Sequence, residues 1–268
     1  MKRLYALLAC FLLLACQNNA QPQDPVPTHD TFTVESKTLG ETRTINIWTP
    51  SDYKTGSDSL TVLYMPDGGV KEDFPHIANT LAELIASKRI KPVILVGIEN
   101  TVRRRDLSGP TEVEEDRKIA PVIGGAEKFR QFIHDELFPE VEKRYRTKAE
   151  KGIIGESLAG LFIVETLFTK PELFDFYIAM DPSLWWNNRY LVKNTQNNLA
   201  QFPATPKRFW FAGSDARDIA KHTKELARIL TAEKPENLTW TYSDEPKEKH
   251  HTIYRATKEK ALVWALKD

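Results

Sequence analysis

Ser157 stands in Gly155-Glu156-Ser157-Leu158-Ala159-Gly160, with an apolar burst before it and a helix-like apolar pattern after it. A serine hydroxyl is a weak nucleophile until a base takes its proton. A sharp strand-to-helix turn exposes it to base and substrate together. Such a turn is crowded, so small residues two places on either side suit it. Gly155 and Ala159 meet that need, Ala159 adding one methyl where the usual pattern has glycine. The bland reading of such a serine is a helix N-cap. The strand-like stretch before it and the periodic helix after it favour the nucleophile.

A nucleophile of this kind needs a base, expected after the last strand, and an orienting acid, expected after the strand before that. The stretch SDEPKEKHHTIYR offers His250 and His251 as base, and FWFAGSDARD offers Asp215 and Asp218 as acid. Asp215 comes first after the strand end; Asp218 would sit in the first turn of a helix, where a carboxylate suits the dipole. The amide of Leu158, directly after the serine, is placed to donate to an oxyanion. His29 lies in a polar N-terminal segment, and His76, His134 and His222 fall in predicted helices as surface or satisfied residues. No HExxH or CxxC spacing points to a metal.

The elements that must position these groups alternate along the chain. TFTVES and RTINIWTP read as an antiparallel hairpin turning near Gly40, LTVLYMPDGG as a buried strand, FPHIANTLAELIASKRI as an amphipathic helix, and KPVILVGIEN as another buried strand. After an Arg-rich loop, GGAEKFRQFIHDELFPEVEKRYR has helical spacing and KGIIG supplies the next strand. A helix from Leu158, strands FYIAMDP and RFWFAG, helix ARDIAKHTKELARIL, strand LTWTYSDE and a last helix after His251 complete the order. Strands alternating with helices predict an α/β fold, one mainly parallel sheet covered on both faces, with its site at the carboxyl ends of the strands. No internal repeat and no second domain are visible.

The chain has 268 residues, 41% hydrophobic and 28% charged, with Lys plus Arg and Asp plus Glu both at 37. That length suits one large domain, and the balanced charge points away from nucleic acid and toward a small-molecule partner. Lys2 and Arg3 precede the apolar run LYALLACFLLLAC, too short to span a bilayer comfortably, which reads as an export signal. Its end, Leu13-Leu14-Ala15-Cys16, resembles a bacterial lipobox, in which Cys16 becomes the lipidated first residue. Leu7-Leu8-Ala9-Cys10 has the same spelling but would leave too short an apolar core. The expected organisation is a signal at 1–16, a polar tether at 17–30 and one domain at 31–268. Lipidated Cys16, followed by Gln17, predicts a periplasmic protein anchored to the outer membrane; the plainer alternative is an ordinary cleaved signal.

Taken together, Tyr64-Met65-Pro66-Asp67-Gly68, VGIENTVRRRDLS, GGAEKFRQFIHDELFPEVEKRYR, GESLAG, DPSLWWNN and the final EKHHTI resemble the putative esterase family of α/β-hydrolases. That group includes enterochelin and salmochelin esterases, with relatives such as S-formylglutathione hydrolase and mycolyltransferases. The resemblance covers nearly everything after the tether. It implies an α/β-hydrolase fold, a serine carboxylic-ester hydrolase working through an acyl-enzyme, and no cofactor. By the family's Glu-x-His pattern it implies His250 rather than His251 as base, and by its DG-x turn the amide of Gly69 as second oxyanion donor. Some members work with a Ser-His dyad, which leaves the acid open among Asp215, Asp218 and none. Arg103-Arg104-Arg105-Asp106 matches an Arg-x-Arg-Asp signature, so Arg103 and Arg105 are candidates to steer an anionic substrate, although a charge run is usually a solvated loop. Trp185 and Trp186 are candidate walls of an acyl or aryl site. The rival readings are acyl transfer to an alcohol and a binding lipoprotein without chemistry.

Overall fold

The computed structural model describes residues 24–267. The expected signal at 1–16, with Cys16, and residues 17–23 of the expected tether lie outside the described residues. From Asp24 the expected tether is laid onto the domain: Arg255 pairs with Asp24, Asn79 donates to the Pro25 carbonyl at 2.8 Å, and the His29 ring meets Phe74 edge-on at 5.4 Å. No described helix is long and apolar enough to cross a membrane.

Among the described residues, eight strands form one sheet: β1 Asp30–Ser36, β2 Glu41–Trp48, β3 Leu60–Pro66, β4 Val93–Ile98, β5 Thr147–Glu156, β6 Phe176–Met180, β7 Lys207–Gly213 and β8 Leu238–Asp244. Their spatial order is β1-β2-β4-β3-β5-β6-β7-β8. β2 runs against both its neighbours, and every other pairing between β4 and β8 is parallel. The apolar runs of β3, β4 and β6 are buried on both faces, as a helix-covered parallel sheet requires, whereas the outer strands β1 and β8 are partly exposed. Alternate residues serve different layers: Leu63 and Met65 pack toward α1 Phe74–Ala86 and α9 Ile253–Leu266. Val62 and Tyr64 face the other core.

That second core is covered by α4 Ala126–Phe132, α5 Phe138–Arg144, α6 Leu158–Thr169, α7 Trp186–Ala200 and α8 Arg217–Glu233, with two short pieces, α2 Arg103–Leu107 and α3 Glu114–Ile119, in the Arg-rich loop. α4 and α5 form the single helix expected there, interrupted by a π turn at Ile133–Leu137. Pro139 has no amide to donate, and the widened turn absorbs the missing bond. α6 is apolar on nearly every side, which suits a helix buried at the centre of the layer. α7 falls between the strands FYIAMDP and RFWFAG, where no helix was expected; its Asn-rich, weakly apolar sequence carries little helical signal.

Candidate active site

The chain leaves β5 through Ser157, whose backbone sits at φ 60 and ψ −116. A non-glycine residue there is strained by about 1–3 kcal/mol, which neighbouring bonds must offset. They are present: the Ser157 N–H donates to the Met180 carbonyl at 2.9 Å, and its own carbonyl accepts from Ser183 N–H at 3.0 Å and Leu161 N–H at 2.9 Å. The end of β6 therefore holds the turn. A Cβ added at Gly155 would lie 2.7 Å from the Ala159 Cβ, so the extra methyl at 159 fits because Gly155 has none.

Ser157 Oγ lies 3.1 Å from His250 Nε2. It is His250, not its neighbour His251, that reaches the serine. His250 Nδ1 donates to Asp181 Oδ2 at 2.9 Å, which fixes the proton on Nδ1 and leaves the Nε2 lone pair facing the hydroxyl. Asp181 is fully buried and also accepts the Ser214 amide on Oδ1 and the Ser214 hydroxyl on Oδ2, both at 2.6 Å. The bond to Asp181 is the main cause that raises the His250 pKa above 6.5, against the opposing effect of burial.

The acid therefore comes from the end of β6, and Asp215, expected in that role, does not take it. Asp215 is exposed and pairs with Lys249. Asp218 is exposed in the first turn of α8. Ser214 turns inward between β7 and Asp215, so the loop spends its inward position on supporting Asp181. The sequence signal for Asp181 was its place one residue past a strand end in FYIAMDP, followed by a proline.

The other expected residues divide. The Leu158 amide opens α6 beside Ser157. The Gly69 amide, expected to face an oxyanion, donates instead to Glu72 Oε2 at 2.7 Å, because the turn folds Glu72 back, its N–H on the Gly69 carbonyl at 2.9 Å. Arg103 grips both oxygens of Asp67, at 2.6 and 2.7 Å, bracing that same turn. Arg105 does not face the site: it bonds Glu41 and Asp106, in a network that also contains buried Arg43. Trp186 is a core residue, its Nε1–H donating to the Gly109 carbonyl at 3.2 Å, whereas Trp185 is half-buried against it. His76 and His222 are buried in α1 and α8, and exposed His134 bonds Asp135.

Glu156, unremarked in the sequence, is mostly buried beside the serine, and its Oε1 has no hydrogen-bond partner. Burial, with Asp73, Asp181 and Asp67 nearby, pushes its carboxyl up to about 8 against the opposing pull of His250.

A strained serine between strand and helix, a histidine after β8 and a buried carboxylate at a strand end, on this sheet order, define the α/β-hydrolase class with a Ser-His-Asp arrangement. The chain belongs to the Putative esterase family, whose model matches residues 36–257. It is 38% identical over 119 residues to the ferri-bacillibactin esterase of Bacillus subtilis, covering 40% of this chain and 41% of that protein. It is 33% identical over 178 residues to a siderophore triacetylfusarinine C esterase of Aspergillus fumigatus, covering 61% of this chain and 59% of that one. Each match thus spans less than two thirds of the relative. Among solved structures, an IroE-like serine hydrolase from Shewanella oneidensis is similar with a TM-score of 0.81 and 26% identity, over 89% of this chain and 80% of that one.

Proposed function

We propose that the protein is a serine carboxylic-ester hydrolase that cleaves small esters of the siderophore type. The observation that carries this reading is the unbroken relay from Ser157 Oγ through His250 to buried Asp181. His250 Nε2 takes the hydroxyl proton as Ser157 Oγ bonds to the ester carbonyl carbon. The carbonyl electrons move onto oxygen, stabilised by the Leu158 amide and by the Gly69 amide once the oxyanion displaces Glu72. Collapse breaks the ester C–O bond, and the alcohol leaves with the proton returned by His250. Water then repeats the sequence on the acyl-enzyme, with His250 as base, releasing the acid and restoring Ser157. Asp181 holds the imidazole tautomer and balances the imidazolium.

Two relatives named for siderophore esters support that substrate class. Half-buried Trp185 is the proposed aromatic wall of the site, and Arg103 braces the oxyanion turn. The apolar run after Lys2 and Arg3 and its terminal Cys16 support an extracytoplasmic, lipid-anchored location, probed by metabolic palmitate labelling of wild type and Cys16→Ala. The activity is tested by fluorophosphonate labelling together with a hydrolysis screen over triscatecholate lactones, aryl esters and acylated sugars. Wild type labels and cleaves at least one lactone, and Ser157→Ala does neither. Equal behaviour of the two folded proteins overturns the reading.

A further inference from the structure

A cleft of about 500 Å³ runs between α7 and α8. Arg189 and Lys193 line its α7 wall, and Lys221, His222 and Arg228 its α8 wall. Arg228 is paired with Glu225 at 2.8 Å, and Glu233, at the far end, accepts from Gln196 at 2.6 Å. Among the described residues, Arg189, Lys193 and Lys221 have no ion-pair partner. The positive field of this end is felt by buried His222, whose pKa is lowered first by burial and then by Arg189 and Lys221. Cations gathered on the walls of a cleft concentrate an anion there.

The head of the cleft lies toward the end of the sheet that carries the catalytic groups. α7 leaves the loop that begins at Asp181, and α8 leaves the end of β7, so both start at the same end of the sheet as Ser157 and His250. The charge of Asp218, in the first turn of α8, acts on both His222 and His250. From Arg189 to Gln196 the α7 wall runs about 10 Å at the helical rise.

The backbone at this head is strained. Asn187, Asn188 and Arg189 have φ of 46, 51 and 64, three consecutive left-handed residues with no glycine. Asparagine tolerates that region; arginine does so poorly. The Asn187 N–H is held by Asp116 Oδ2 at 2.8 Å, and the run places Arg189 at the mouth of the cleft. Strain of this kind persists where the surroundings impose it and concentrates at ligand sites.

We infer that the cleft is an anion subsite, which holds a multiply charged arm of the substrate while the ester carbonyl lies at Ser157. The inference rests on the esterase reading for the identity of the ligand, and its test does not depend on turnover. The probe is the ferric tris(2,3-dihydroxybenzoate) complex, a trianion with no ester bond, titrated against the Ser157→Ala protein by tryptophan quenching. The cleft variant adds Arg189→Gln, Lys193→Gln and Lys221→Gln; a control of equal charge adds Lys128→Gln, Lys143→Gln and Lys148→Gln on the remote surface. Removing three cationic partners weakens Kd roughly tenfold in the cleft variant, the affinity of the Ser157→Ala parent falls with added KCl, and the control binds as the parent does. Unchanged binding by the cleft variant, with matching thermal unfolding, overturns the subsite, as does an equal loss in the control. Cleft-dependent binding by a chain that cleaves no ester overturns the esterase reading alone and leaves the anion site standing.

Discussion

Asp181 Oδ2 lies 2.9 Å from His250 Nδ1 across 69 residues of chain, and the contact joins the ends of two elements that are not neighbours in the sheet. β6 places the carboxylate, and the loop after β8 returns over β7 to meet it. Asp181→Asn can present the wrong hydrogen-bond partner to Nδ1 and so favour the wrong tautomer. We expect kcat to fall by about 10³–10⁴-fold in an aryl ester assay. Asp215→Asn, which disturbs only an exposed pair with Lys249, keeps kcat within about twofold. The reverse ranking would return the acid to β7.

The acid limb of kcat/KM follows from the same bond. His250 acts as base only when neutral, and its pKa is raised above 6.5 chiefly by Asp181. Activity therefore falls as pH drops through a midpoint above 6.5 and is restored above it. A pH–rate profile of the free enzyme with a midpoint at or below 6.5 contradicts this assignment.

Glu156 makes stability depend on pH. In the unfolded chain its carboxyl ionises near 4.5, whereas in the fold it keeps its proton to about 8. Between those values the folded state binds more protons, so stability declines as pH rises and this contribution levels off above about 8. Glu156→Gln removes the dependence. The difference in Tm between variant and wild type, measured by calorimetry, grows in favour of the variant from pH 5 to pH 8. A constant difference would place the carboxyl in an ordinary solvated setting.

Gly155 and Ala159 share one space. Gly155→Ala brings two methyls to 2.7 Å, with Ile163 close behind at 3.2 Å, and costs about 1–3 kcal/mol by denaturant titration. Gly155→Ala with Ala159→Gly relieves the closest contact and recovers part of that loss, so the pair is non-additive. Strict additivity would mean that the turn moves rather than the methyls.

Arg103 bonds both oxygens of Asp67, which is itself nearly buried. Arg103→Lys loses the fork, and Arg103→Gln leaves a carboxylate without its cation beside Glu156 and Asp73. The glutamine variant loses about 1–3 kcal/mol of stability and turns over more slowly, with lysine intermediate. If KM for anionic esters rises while stability is unchanged, Arg103 contacts substrate instead.

Most of the fold was legible because its signals are local. Runs such as VILVGI and FYIAM are continuous and apolar, and the amphipathic spacing of ARDIAKHTKELARIL is read within one segment. The elbow at Ser157 was legible for the same reason, since strand, small residues and helix are consecutive. α7 was not, because its polar sequence forms a helix chiefly through tertiary contacts at Leu191, Val192 and Thr195.

The sequence by itself determined the alternation of strands and helices, the serine at a strand-to-helix turn and a histidine pair after the last strand. Only the tertiary structure decided that Asp181 meets His250, that Gly69 donates to Glu72, and that Arg105 belongs to a network with Glu41 and Asp106. The reason is range: hydrophobic period and turn chemistry act over a few residues. Which carboxylate meets which ring depends on sheet order and loop path, where an inward or outward turn of one residue, Ser214 against Asp215, moves a charge from a buried relay to the solvent.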